Sequence, residues 1–138
     1  MEYALVVPQA NIDKLLDHAE DCLPLEAVAL LFGVIEEDRI IARSIELLDN
    51  VANSRTTFLV DPVIQYNLLV DAEERGEDLV CIFHSHPAPP VPSSTDLRNM
   101  KLNPVVWLIA SKITGQWEYK AYLLRENQEY AVIRIINS

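Results

Sequence analysis

Positive charge and long apolar runs are both scarce in this sequence. Its 138 residues include 11 Lys and Arg against 21 Asp and Glu, a formal net charge of −10. Nucleic acids and anionic membranes are bound through basic surfaces, so this composition argues against both as partners. No run reaches the roughly 18 apolar residues of a membrane span. The first residues lack the basic start and long apolar stretch of a signal peptide, so we expect a cytoplasmic protein.

Cysteine is scarce as well, and it does not form a Cys-x-x-Cys pair. Cys22 falls at the end of a predicted helix, and Cys81 lies in an apolar segment, where it is expected to pack as a small hydrophobic residue. In a reducing cytoplasm we expect both to be free thiols. A disulfide within or between chains stays open, because the sequence does not show whether the two Cβ atoms face each other.

Half of the residues are apolar, which is enough for the core of one domain, and we expect that domain to span residues 1–138. Strands are predicted over 3–7, 25–35, 39–48, 57–60, 78–83, 105–110, 117–124 and 129–136. Helices are predicted over 8–22, 62–75 and 93–101. These elements predict an α/β domain with a mixed sheet of about six to eight strands.

Two side-chain expectations follow from the helical patterns. His18 lies among the charged residues of the first predicted helix, and we expect it to be a solvated surface histidine. In the second predicted helix, which Asp61 caps and Gly76 ends, several apolar side chains are available for burial. They are Val63, Tyr66, Leu69, Val70 and Ala72.

Two of the three histidines stand at the end of segment 78–83, the best candidate for a buried strand. Side chains alternate along a strand, so His84 and His86 are predicted to point the same way. A loop with four prolines in six positions then leads to Asp96. Two imidazoles and a carboxylate suit a catalytic zinc ion, which keeps one position open for a water of pKa about 7. The structural alternative is a pair of ordinary histidines and a helix capping box from Ser93 to Asp96.

A hydrolytic zinc site also needs a group that takes the proton of the water. Glu26 is the acid in the most apolar surroundings, next to segment 27–32, and burial raises the pKa of a carboxyl group toward neutrality. An equally good reading places Glu26 at the start of a strand or helix, where backbone amides satisfy its carboxylate. From the residues alone, both readings stay open.

Together these residues resemble the signature of the JAMM (MPN+) metalloprotease family, HxHP…PSxxD with a distant glutamate. The signature is carried here by Glu26, by HSHP at 84–87 and by PSSTD at 92–96. Segment 26–33 is similar to the ExxGxLxG run of the family, with Ala29 where glycine is usual. Segment 58–62 is similar to its F-x-x-D-P helix entry.

The resemblance implies a fold and a set of residue roles. The fold is a single compact α/β domain related to the cytidine deaminases, with a mixed, mostly antiparallel sheet flanked by helices. His84, His86 and Asp96 are implied as ligands of one catalytic Zn²⁺, and Glu26 as the general base and acid. Ser93 is implied as the oxyanion donor. The loop before it is one residue shorter than usual, so Ser94 is the alternative, although Ser93 keeps the offset to Asp96.

The resemblance also implies a reaction and a partner. Family members hydrolyse isopeptide or peptide bonds after the C-terminal glycine of ubiquitin or ubiquitin-like proteins, and this chain resembles the short, stand-alone prokaryotic members. A ubiquitin-like protein or its conjugate is then the partner, and a homodimer is left open.

Two other functions are compatible with the same residues. The same site would serve a peptidase that processes a sulfur-carrier ubiquitin-like protein. A non-catalytic scaffold is the other alternative, but the complete ligand set argues against it. Nucleoside deaminases and zincins are set aside, because the PCxxC motif of the former and the HExxH motif of the latter are absent.

Overall fold

The computed structural model describes residues 2–52 and 58–137. The strands are β1 Ala4–Val6, β2 Val28–Glu36, β3 Arg39–Leu48, β4 Asp78–His86, β5 Val106–Ser111, β6 Glu118–Leu124 and β7 Tyr130–Ile136. The helices are α1 Gln9–Cys22, α2 Pro62–Glu74 and α3 Ser94–Leu102. None of these helices in the described residues is long and apolar enough to cross a membrane.

These elements match the predicted ones within a few residues, with one exception. The strand predicted over 57–60 is wrong for residues 58–60, and residue 57 lies outside the described residues. The backbone of Leu59 bonds locally, because its N–H donates to the side chain of Asn50 and its carbonyl accepts from Val51. These bonds replace the ladder that a strand would need.

The strands of the described residues close into a barrel in the order β1-β3-β2-β4-β5-β6-β7. Strand β1 pairs parallel with both β3 and β7, and β4 pairs parallel with β5, whereas the other four pairs are antiparallel. The expected mixed, mostly antiparallel sheet is confirmed. Its description as a sheet flanked by helices needs correction, because the short β1 fills the gap between β3 and β7 and closes the ring.

Two apolar clusters lie on opposite faces of the strands, and β2 contributes to both. Ala27, Ala29 and Leu31 belong to the cluster that contains the buried side chains of α1. Val28, Leu30 and Phe32 belong to the cluster that α2 and α3 cover through Ala72 and Met100. The near-continuous apolar run of β2 therefore follows from burial of both its faces.

The ends of α2 are as predicted, but its burial is not. The carboxylate of Asp61 accepts from the N–H groups of Val63 and Ile64, and Gly76, at φ 75°, follows the helix. Ala72 is buried, whereas Val63, Tyr66 and Leu69 are exposed and Val70 is half-buried. The apolar side chains of α2 lie on several sides of the helix. Their spacing in the sequence therefore does not identify the face that packs against the sheet.

His18 in α1 also departs from expectation. It is half-buried, and its Nε2 lies 3.2 Å from the carbonyl oxygen of Val28 and 3.1 Å from that of Leu48. Carbonyl oxygens only accept hydrogen bonds, so Nε2 carries the hydrogen and donates to both. The prediction of a solvated histidine is therefore wrong, and His18 joins α1 to the paired ends of β2 and β3.

Candidate metal centre

Strand β4 carries both histidines of the site. Val28 of β2 pairs with His84 on one side, and β5 pairs along the other. The ring centroids of His84 and His86 lie 4.9 Å apart, as expected for side chains two residues apart on one strand. His84 is completely buried and His86 is half-buried. A buried central strand thus fixes both imidazoles.

Asp96 reaches the same place from the first turn of α3. Ser93 is the N-cap of that helix: its hydroxyl accepts from the Asp96 N–H at 3.1 Å, and its own N–H donates to Asp96 Oδ2 at 2.9 Å. The expected capping box is confirmed. The other contacts of the carboxylate are with the imidazoles, at 3.3 Å from Oδ1 to His84 Nε2 and 2.9 Å from Oδ2 to His86 Nε2.

Glu26 approaches His84 from the other side of the imidazole. It lies just before β2, is 3% exposed, and places Oε1 3.2 Å from His84 Nδ1. Its Oε2 is buried and has no hydrogen-bond partner among residues 2–52 and 58–137. The apolar sequence context therefore predicted burial correctly. The reading in which backbone amides satisfy this carboxylate does not hold for Oε2.

The two carboxylates determine the charge state of the site. Burial by itself lowers the pKa of His84, but the hydrogen bonds and charges of Asp96 and Glu26 outweigh burial and raise that pKa to about 9. For Asp96, burial acts to raise the pKa. Hydrogen bonds from His84 and His86, the His84 charge and the Ser93 N–H outweigh it and hold the pKa of Asp96 well below its usual range. Asp96 is therefore ionised throughout the neutral range.

The donor atoms fit a divalent metal ion. Glu26, His84 and His86 each offer one ligand atom within 4.8 Å of the others. Both ring nitrogens of His84 are buried, and within the described residues each faces a carboxylate oxygen, Nδ1 that of Glu26 and Nε2 that of Asp96. The 3.3 Å between His84 Nε2 and Asp96 Oδ1 equals the spacing of about 3.3 Å expected for two ligands of a tetrahedral zinc ion. Imidazole and carboxylate donors suit zinc, and either Asp96 or Glu26 can supply the carboxylate.

Two contacts hold the proline loop that connects β4 to α3. His86 Nδ1 lies 3.2 Å from the carbonyl oxygen of Pro89 and donates its hydrogen to that oxygen, which would leave Nε2 as the nitrogen for a metal ion. The hydroxyl of the buried Tyr122 donates to the carbonyl of Pro90. The prolines were expected to stiffen this loop, and hydrogen bonds to the carbonyl groups of Pro89 and Pro90 hold it in addition.

Aromatic rings and a narrow cleft shape the surroundings of His84. The rings of Phe58 and Trp107 lie 5.1 and 5.6 Å from the His84 ring. A cleft of about 30 Å³ is lined by Glu26, Ser85, His86, Pro87 and residues 23–25. That volume holds about one or two water molecules. The site therefore combines an apolar wall with one small opening beside Glu26.

Five side chains that support the site were not predicted from the sequence: Asn50, Phe58, Ser85, Trp107 and Tyr122. For Ser85 a signal was present, because alternation along β4 turns its side chain away from the two histidines and toward the chain before β2. The others make contacts between distant segments, and such contacts leave no local pattern.

A family model described as "Prokaryotic homologs of the JAB domain" matches residues 8–136 of this chain. The chain belongs to this family, and the resemblance to the JAMM signature is confirmed.

Three curated relatives carry names that describe an activity. The chain is 35% identical over 133 residues to a Desampylase of Pyrococcus furiosus, covering 96% of the chain and 89% of the relative. It is 33% identical over 131 residues to a Probable TtuB-protein conjugate cleaving protease of Thermus thermophilus, covering 94% and 82%. It is 31% identical over 103 residues to a Desampylase of Haloferax volcanii, covering 72% and 74%.

Solved structures are similar to the whole described fold. A solution structure of a Desulfitobacterium hafniense protein gives a TM-score of 0.83 at 28% identity, covering 97% of this chain and 92% of that one. A Salinibacter ruber protein gives 0.70 at 26% identity, covering 100% and 92%. The small α/β fold with a mixed sheet is therefore one that solved proteins share.

Proposed function

We propose that this chain is a zinc-dependent isopeptidase that hydrolyses the bond after the C-terminal glycine of a ubiquitin-like modifier. One observation carries the proposal: two buried carboxylates flank the His84 imidazole, and the second histidine lies beside one of them. Two curated relatives are desampylases, and a third is a probable protease that cleaves TtuB-protein conjugates. Membership of the same family supports a similar reaction here.

The proposal divides the two carboxylates between two roles. His84, His86 and Asp96 would hold the metal, because Asp96 contacts both imidazoles and stays ionised. When bound, zinc supplies a Lewis acid and lowers the pKa of a coordinated water to about 7. Glu26, on the opposite side of His84, is then left for proton transfer.

Glu26 has the properties of a general base and acid. Its Oε2 is buried and has no hydrogen-bond partner in the part of the chain that the structure describes, and Glu26 lines the small cleft. A carboxylate in that position can take a proton from water in the cleft and return it to the departing lysine amine. The lone pair that a structural glutamate would use in hydrogen bonding is free for this transfer.

Ser93 is the better candidate for the oxyanion donor. Its Oγ accepts the Asp96 N–H, and a hydroxyl group that accepts still has its own hydrogen to donate. That hydrogen can stabilise the negative charge on the carbonyl oxygen of the substrate. Ser94, the first residue of α3, is exposed to solvent, whereas Ser93 is half-buried next to Asp96.

Three further expectations belong to the same proposal: one domain spans residues 1–138, the protein works in the cytoplasm, and the fold is related to the cytidine deaminases. A non-catalytic scaffold is disfavoured, because a buried, unpartnered Glu26 Oε2 costs free energy without serving such a scaffold. Processing of a sulfur-carrier precursor would use the same residues, and no observation favours it over conjugate cleavage.

Cleavage in the presence and absence of a chelator tests the proposal. Zinc-loaded protein is incubated with lysine-linked conjugates of several ubiquitin-like modifiers, and with linear fusions of the same modifiers. We expect released modifiers that end in glycine, measured by intact mass, and we expect a chelator to stop their release and added zinc to restore it. Absence of cleavage across the panel, or cleavage that a chelator does not affect, would contradict the proposed function.

A further inference from the structure

The peptide groups around Glu26 are held by side chains from other parts of the chain. Ser85, between the two histidines of β4, accepts the N–H of Ala27 on its Oγ at 2.8 Å. The backbone N–H of Ser85 donates in turn to the carbonyl of Ala27 at 3.1 Å. The backbone N–H and the carbonyl of Ala27, the residue after Glu26, are therefore both bonded to the buried Ser85.

Asn50, which follows β3, holds the preceding carbonyl group. Its Nδ2 donates to the backbone carbonyl of Glu26 at 2.9 Å. Its Oδ1 accepts from the N–H groups of Ala52 at 3.1 Å and Leu59 at 3.0 Å. One amide side chain thus connects Glu26 to the segment that carries Phe58, whose ring contacts His84.

These bonds matter because Glu26 lies outside the strand ladder. Pairing of β2 with both of its neighbours begins at Val28, so the sheet does not fix the backbone of Glu26. His18 holds the carbonyl of Val28, which leaves Ser85 and Asn50 to hold the two residues before it. Rotation of these peptide groups would move the Glu26 carboxylate, which lies 3.2 Å from His84.

We propose that Ser85 and Asn50 are positioning residues that set the Glu26 carboxylate for proton transfer. This inference rests on the proposed role of Glu26. Neither side chain contacts the substrate in this account; each acts through the backbone of residues 26 and 27. Displacement of a reacting group by about 1 Å can lower turnover about 100-fold without weakening substrate binding to the same degree.

Two substitutions test the inference at different bonds. Ser85→Ala removes the acceptor for the Ala27 N–H. Asn50→Asp keeps an oxygen for the N–H groups of Ala52 and Leu59, removes the donor to the Glu26 carbonyl, and adds a negative charge. For each variant we expect kcat to fall at least about tenfold, with KM within about twofold and zinc content unchanged.

Matched controls separate positioning from general loss of a buried hydrogen bond. Ser44→Ala removes a hydroxyl that donates to Glu77, and Asn103→Asp removes an amide that donates to the Asn99 carbonyl. Both variants carry the same substitutions at part-buried hydrogen bonds that do not involve residues 26 and 27, and we expect kcat within about twofold of the wild type. Hydrogen exchange gives a readout independent of activity: in metal-free Ser85→Ala protein the Ala27 amide should exchange at least about tenfold faster.

The outcomes distinguish this inference from the proposed function. If the wild type cleaves its conjugate while Ser85→Ala and Asn50→Asp both keep the wild-type kcat, the positioning role is wrong and the proposed function stands. Equal losses of kcat in the two control variants would also overturn it. No cleavage by the zinc-loaded wild type would overturn both, because a positioning role requires the reaction.

Discussion

Asp96 takes part in two arrangements at the scale of a single residue. Its carboxylate completes the capping box of α3 with Ser93, and the same two oxygens contact the imidazoles of His84 and His86. A serine-x-x-aspartate pattern alone is compatible with either role. In this protein the capping box is confirmed, and it holds the carboxylate at the imidazoles, where the proposed role as a metal ligand would place it.

Substitution of Asp96 separates these two roles. Asp96→Asn keeps an oxygen for the Ser93 N–H and removes the charge, whereas Asp96→Ala removes both. We expect zinc affinity, measured by competition titration, to fall at least about tenfold in each variant. In the metal-free state Asp96→Ala should be less stable than Asp96→Asn by about 1 kcal/mol, because only the alanine variant loses the side-chain acceptor for the Ser93 N–H in the capping box. Wild-type zinc affinity in Asp96→Asn would contradict the assignment of Asp96 as a ligand.

At the scale of elements, β2 depends on a close approach of its backbone to β3. The pairing of these strands shifts register between Phe32 and Gly33. A Cβ atom added at Gly33 would lie 1.8 Å from the carbonyl oxygen of Ile41. The glycine is therefore required for space, and β2 in turn leads directly from Glu26 into the core.

Gly33→Ala should destabilise the protein by about 1–3 kcal/mol or more, because the strand must move away from Ile41. Urea unfolding at neutral pH measures the loss. Gly76→Ala is the matched control: Gly76 has φ 75° and open space around it, so alanine there costs only about 1–2 kcal/mol for the left-handed conformation. A Gly33→Ala protein that is as stable as the wild type would show that the two strands can separate freely.

The sequence predicted most elements because their signals are local. The capping pair of α3 and the apolar runs of β2 and β4 lie within a few residues of the structures that they predict. Residues 58–60 were misassigned because the backbone of Leu59 bonds to the Asn50 side chain and to the Val51 N–H and not to a neighbouring strand. The packed face of α2 was misassigned because apolar side chains such as Tyr66 lie on its exposed face as well.

At the scale of the whole molecule, closure of the barrel was not predictable from local pattern. It depends on pairs such as Ala4 with Arg134, which bring the two ends of the described chain together. More of the candidate metal centre than of the barrel could be predicted from the sequence. His84, His86 and Asp96 lie within one short stretch, and Glu26 has an unusually apolar sequence context. The side chains that support that centre, such as Ser85 and Tyr122, could not be predicted, because their contacts form only when separate strands come together in the fold.

Burial of Cys81 couples unfolding of the whole barrel to pH. Burial raises the pKa of this thiol well above its usual range, so it stays protonated in the folded protein and ionises near pH 9 only when the chain unfolds. A raised pKa contributes stability below the unfolded value, and that contribution is lost as the pH rises above it. Between about pH 8 and about pH 10 the wild type should therefore lose more unfolding free energy than Cys81→Ala. Parallel losses in urea titrations of the two proteins would contradict this coupling.

The central claim is that His84, His86 and Asp96 hold zinc while Glu26 moves the proton. Zinc content and conjugate turnover of Glu26→Gln, determined on the same sample, test it most directly. We predict the same zinc content as in the wild type and a loss of turnover of at least about 100-fold. Turnover at the wild-type rate would contradict the role of Glu26. Loss of zinc from this variant would instead make Glu26 a ligand and contradict the assignment of the two carboxylates.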